Sequence, residues 1–114
     1  MKDNVVREKS FDFALKVIDV YKELLAVNEF VLSKQFLRSG TSIGANVEEA
    51  TAAVSRKDFI AKMAIASKEA RETLYWIKLI KYSELASLNL DDLILDVEEL
   101  IRILTAIIKT MQNN

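Results

Sequence analysis

Two pairs of carboxylates carry the most obvious chemistry this chain could offer: the adjacent Glu48 and Glu49, and Glu69-x-x-Glu72. A spacing of three puts Glu69 and Glu72 on one face of a helix, where an all-oxygen metal site could form. Helical bundles that hold paired metals combine Glu with Glu-x-x-His on facing helices, and this chain has no histidine. It has no cysteine either, so thiolate metal sites and disulfides are excluded. Carboxylates in such settings are usually solvated or paired with Lys and Arg, so no metal is expected. Serines are plentiful, but a serine nucleophile needs an activating base, and nothing sets up a Ser–Lys pair. Gly40-x-x-x-Gly44 lacks the Gly-Lys-[Ser/Thr] ending of a phosphate-binding loop and follows no strand. Close helix packing is its better reading. Neither an enzyme nor a cofactor is expected.

Residues 38 to 50 read Arg-Ser-Gly-Thr-Ser-Ile-Gly-Ala-Asn-Val-Glu-Glu-Ala and contain both glycines of the chain. Arg38 could recognise a carboxylate or phosphate, or pair with Glu49 or Glu72 from a neighbouring helix and help set bundle register. The structural role is favoured. Arg38, Asn46, Glu49, Glu69 and Glu72 are therefore expected to form an internal polar layer. A second candidate surface comprises Lys57, Lys68, Arg71, Tyr75 and Lys78, which fall within about 80° of one another at 3.6 residues per turn. A basic stripe with an aromatic is the kind of surface that contacts phosphates. An ordinary solvated face is the simpler account, with Glu69 and Glu72 close by.

Four helices must position these residues. Apolar periodicity places the first from about Ser10, a plausible N-cap, or from an earlier start, to Val27. Its apolar residues make two stripes, Phe11, Ala14, Leu15, Ile18 and Leu25, and Phe13, Val17, Val20, Leu24 and Val27. One core needs a stripe of roughly 100°, so this helix should touch two things. The second runs from Asn28 or Glu29 to Ala53. Leu32, Phe36, Ser39, Ile43, Val47, Ala50 and Val54 keep their three-four spacing through both glycines, which favours one rod over a break at Gly40 restarted by Thr41 or Ser42. Ser55 should cap the third helix, with Asp58 at the third position. Its seam is Phe59, Met63, Ala66, Ala70, Thr73, Ile77 and Ile80, while Ile65, Trp76 and Leu79 lie off the seam and mark a second face, the candidate subunit interface. Trp76 and Tyr75 read first as packing or interface residues. Asn89 should cap the fourth helix, whose Leu93, Val97, Leu100, Leu104, Ile107 and Met111 form one stripe. Short connections make neighbours antiparallel, giving an all-α, up-down-up-down four-helix bundle.

Composition agrees. At 114 residues, with no proline, two glycines and 51% hydrophobic residues, residues 1–114 suit a single all-helical domain. No signal peptide is evident at Met1-Lys2-Asp3-Asn4, and no apolar run approaches the roughly 18 residues of a membrane span, so a cytoplasmic location is expected. Net charge is −1, unevenly placed. Residues 31–83 carry nine Lys/Arg against five Asp/Glu, and residues 84–114 carry two against six. A mildly basic middle beside an acidic tail suits polar contact between subunits, and falls short of a dedicated nucleic-acid binder.

The run from Phe36 to Ala50 strongly resembles the signature of a bacterial four-helix-bundle family, named for proteins encoded in intervening sequences of 23S rRNA genes and sometimes labelled ribosomal. Asp58-Phe59 and the segment Ala66 to Thr73 resemble its third helix, so the similarity covers essentially the whole chain. Some relatives carry Pro where this chain has Gly44, and Gly where it has Ala50. The resemblance implies a homopentamer, a ring or barrel of bundles, and no known reaction. More distantly, the chain is similar to the accessory variability proteins of diversity-generating retroelements, which bind a reverse transcriptase and RNA through a markedly basic surface. This chain, with a pI near 5.5, departs from that pattern. The expected function is a non-enzymatic, homo-oligomeric scaffold or adaptor. The alternative is an RNA- or ribonucleoprotein-binding module acting through Lys57, Lys68, Arg71, Tyr75 and Lys78, accessory to rRNA or to a reverse transcriptase.

Overall fold

Four apolar seams at helical spacing find one another in the structure, a computed structural model that describes residues 2–113, with side chains from Val5 onward. The helices are α1 (Lys2–Ala26), α2 (Leu32–Thr51), α3 (Arg56–Ser83) and α4 (Asp91–Gln112). Each packs against its chain neighbours, and α1 also packs on α4, so α1 faces α3 diagonally and α2 faces α4. This is an antiparallel up-down-up-down four-helix bundle, 47 × 20 × 20 Å. Its core includes Phe13, Val17 and Leu24 of α1, Phe36 and Ile43 of α2, Met63 and Ile77 of α3, and Leu100 and Leu104 of α4. No helix among the described residues is long and apolar enough to cross a membrane.

The N-terminal helix takes the earlier start. Ser10 is not a cap: it lies buried in mid-helix, its Oγ donating to the Arg7 carbonyl at 3.2 Å. Val6 extends the apolar stripe one turn upstream into the core, and burying that turn favours helix over a start at Ser10. The two stripes of α1 are buried unequally. Phe13, Val17 and Leu24 are buried, whereas Phe11 is 63% and Leu15 49% exposed.

Turn chemistry moves the start of α2 downstream to Leu32. Asn28 takes a left-handed conformation (φ 62°) that closes α1, with the Glu29 amide donating to the Leu24 carbonyl at 2.9 Å. The Glu29 carboxylate then caps the new helix, accepting from the amides of Val31 (3.4 Å), Leu32 (3.1 Å) and Ser33 (2.7 Å). From there α2 runs unbroken through both glycines, and the reason is close approach to α1. A Cβ on Gly40 would lie 2.8 Å from both methyl carbons of Val17, and one on Gly44 would lie 3.3 Å from the Ser10 carbonyl oxygen.

The later caps fall close to expectation. Ser55 Oγ accepts from the Asp58 amide at 3.0 Å, and Asp58 reaches back to the Val54 amide at 3.3 Å. Asn89 Oδ1 accepts from the Asp91 amide at 3.1 Å, holding the first turn of α4.

Candidate functional site

The polar cluster between α2 and α3 is built on Arg38, nearly two turns into α2 and level with the middle of α3. Its guanidinium meets two carboxylates one helical turn apart: Glu69 at 3.4 Å and Glu72, which it also bonds directly. Glu72 in addition accepts from the Trp76 indole nitrogen at 3.0 Å, so the i, i+4 spacing of Glu72 and Trp76 brings the only indole of the chain to the same acid. Tyr75 closes the group, its ring edge-on to Trp76 at 5.2 Å and 69°. Both carboxylates are occupied by cationic or N–H donors. One guanidinium offsets only part of the two negative charges, and these bonds all fall on the Oε2 atoms of Glu69 and Glu72.

Three of the five expected polar-layer residues thus come together, and two do not. Asn46 lies eight residues along α2, about 12 Å up the axis. It hydrogen-bonds its own helix, donating to the Ser42 carbonyl at 2.9 Å. Glu49 pairs with Lys62 at 3.0 Å, nearer the turn. The cluster is also less internal than a core layer: the Arg38 side chain is 50% exposed, while Glu69 is 13% exposed. A guanidinium on a four-atom stem reaches the α3 carboxylates from the rim of the α2–α3 groove, so it need not be buried to make the contact.

Beneath the cluster lies a polar contact that sequence reasoning assigned to the apolar seam. Thr73 Oγ1 and Ser39 Oγ are hydrogen-bonded at 2.9 Å, and both side chains are fully buried. Thr73 Oγ1 also reaches the Glu69 carbonyl at 2.7 Å, and Ser39 Oγ the Phe36 carbonyl at 3.4 Å. The available signal was two hydroxyl residues at matching core positions of adjacent helices, each within reach of a carbonyl one turn back.

On the outer side of α3, Lys57, Lys68, Arg71, Lys78 and Tyr75 are all exposed, Tyr75 by 57%. Among the described residues, no carboxylate lies within 4.0 Å of any of these four cations. Other lysines are held: Lys16 by Asp96 at 2.7 Å, Lys9 by Glu99 at 3.0 Å and Lys81 by Asp91 at 2.7 Å. The hydrogen bond and charge of Asp96 hold the Lys16 ammonium above the usual lysine range. Of the candidate interface residues, Ile65 is 41% and Leu79 36% exposed, whereas Trp76 is half-buried against the core. Between α1 and α2, Phe11, Ala14, Thr41, Gly44 and Ala45 line an open groove of about 200 Å³, with Arg7 and Glu48 paired at 2.8 Å beside it. No group of three or more Asp and Glu among the described residues is arranged to hold a metal ion.

These features fit what the chain is similar to. No curated protein matches it. A solved structure from Bacteroides thetaiotaomicron, a protein of unknown function from the S23 ribosomal protein family, shares 50% sequence identity and superposes with a TM-score of 0.91, over 96% of this chain and 99% of that one. The profile of the 23S rRNA-intervening sequence proteins matches residues 2–106, spanning all of α1 to α3 and most of α4. The chain belongs to the family of 23S rRNA-intervening sequence proteins.

Proposed function

We propose that this protein is a non-enzymatic, cytoplasmic, homo-oligomeric scaffold or adaptor, with a pentamer as the expected assembly. One observation carries the reading: large apolar side chains remain in solvent on two diagonal helices. Phe11 and Leu15 project from α1, and Ile65 and Leu79 from α3. Each bundle already buries a complete core, so this surplus is surface for another chain. The pairing of Arg38 with Glu69 and Glu72 across α2 and α3 supports a structural role for the polar cluster. Native mass spectrometry at micromolar concentration tests the proposal. A clean multiple of the 12.9 kDa chain is expected, and a stable folded monomer would refute it.

A second reading, an RNA- or ribonucleoprotein-binding module, is favoured by the unpaired cations Lys57, Lys68, Arg71 and Lys78 beside Tyr75. Repetition around an oligomer would raise the avidity of a weak stripe. It predicts RNA binding whose affinity falls by nearly one log unit per log of salt for each phosphate neutralised. Binding that survives replacement of all four cations by Glu would remove it.

A further inference from the structure

The unpaired cations of α3 have a counterpart on the opposite helix. Glu8, Asp12, Asp19 and Glu23 of α1 are all exposed, fall within about 60° on the helical wheel, and have no ion pair within 4.0 Å among the described residues. Lys16 flanks this ridge but is bonded to Asp96 of α4. One bundle therefore displays an acidic ridge on α1 and a basic ridge on α3, its diagonally placed helices.

The two ridges match in height. α1 and α3 run in the same direction and end on the same side of the bundle, at Ala26 and Ser83. At 1.5 Å per residue, Asp12 lies about 21 Å below that end, between Lys68 at about 22 Å and Arg71 at about 18 Å. On the same scale, Glu23 at about 4 Å and Asp19 at about 10 Å bracket Lys78 at about 8 Å. Leu15 at about 16 Å falls between Arg71 and Tyr75 at about 12 Å, so an apolar contact sits among the charges.

Resting on the homo-oligomeric reading above, we infer that the acidic ridge of α1 in one copy docks against the basic ridge of α3 in the next, without axial stagger, as a head-to-tail interface. A second copy answers both ridges at once, because every chain carries both halves. A polyanion would answer only the basic ridge and leave the acidic one unpaired. Contact of this heterologous kind closes into a ring when the two faces are suitably angled. Single exposed ion pairs contribute little. An aligned set fixes register and partner orientation, and like-charge juxtaposition is strongly unfavourable.

Charge reversal tests the interface in the full-length chain. One variant carries Asp12→Lys, Asp19→Lys and Glu23→Lys; another carries Lys68→Glu, Arg71→Glu and Lys78→Glu; a third carries all six. Either single-ridge reversal is expected to weaken assembly by on the order of a hundredfold, and the six-residue swap to restore it, with mass read by native mass spectrometry and helicity by circular dichroism. A reversed variant that misfolds is replaced by its neutral form, with Asn for Asp, Gln for Glu and Met for Lys and Arg, for which weakened assembly is again expected. A wild-type monomer would defeat the oligomer reading itself. A wild-type oligomer that persists in both single-ridge variants would overturn this interface alone. If those oligomers persist while poly(U) binding is lost only on reversal of the α3 ridge, the basic ridge belongs to nucleic acid.

Discussion

At Arg38 a half-exposed guanidinium is shared by Glu69 and Glu72, with the Trp76 indole donating to the same acid. Solvent screening limits what such a pair contributes, so Arg38→Met should cost no more than about 1 kcal/mol in denaturant unfolding. The buried hydroxyls below it behave differently. Ser39 and Thr73 each retain a carbonyl partner when the other is removed, so Ser39→Ala and Thr73→Val should each be mild. Their double-mutant cycle should show a coupling of about 1 kcal/mol, the net value of one buried hydrogen bond. The pairing of Arg38 with an α3 carboxylate was legible in the sequence because the residue types are complementary. The Ser39–Thr73 bond was not, because hydroxyls at seam positions look like any small core residue until two helices are placed in register.

At the scale of elements, the α1–α2 turn and the glycine face of α2 are the sensitive points. Burial pushes the Glu29 carboxyl upward, but the bonds it accepts from Ser33, Leu32 and Val31 outweigh this and hold it below the ordinary value of 4.5. A lowered folded pKa stabilises above the unfolded value, and the effect is lost as pH falls through the folded one. Wild type should therefore exceed Glu29→Gln by about 1 kcal/mol at neutral pH, and the two should converge as pH drops below 4.5. Thermal unfolding across pH 2–7 measures this. On α2, the ideal Cβ of Gly40→Ala would stand 2.8 Å from Val17. Despite the better helix propensity of Ala, this overpacking should destabilise by about 1–3 kcal/mol, and Val17→Ala should relieve it.

For the whole molecule, the decisive fact is the surface left over when one core is complete. Phe11 and Leu15 on α1, and Ile65 and Leu79 on α3, remain in solvent. On the scaffold reading, Ile65→Glu with Leu79→Glu should shift the oligomer toward a helical monomer at micromolar concentration, read by light scattering and circular dichroism. Neither position contributes to the buried core, so monomer stability should change by about 0.5 kcal/mol or less. Loss of helical signal would instead show that these residues hold the bundle itself together.

Much of the bundle was written in the chain. Three-four spacing through Gly40 and Gly44 established a continuous α2, the seam from Met63 to Ile80 established α3, and Ser55 and Asn89 marked two starts, because helix periodicity and capping are local physics. Ser10 and Glu29 went otherwise. Whether a serine caps a helix or lies inside one depends on whether the turn before it can be buried, and here Val6 finds the core. Which acids answer Arg38, and which leave α1 and α3 with opposite unpaired ridges, was likewise decided only by packing: ion pairing across helices depends on register and diagonal placement, and neither is encoded in any single helix.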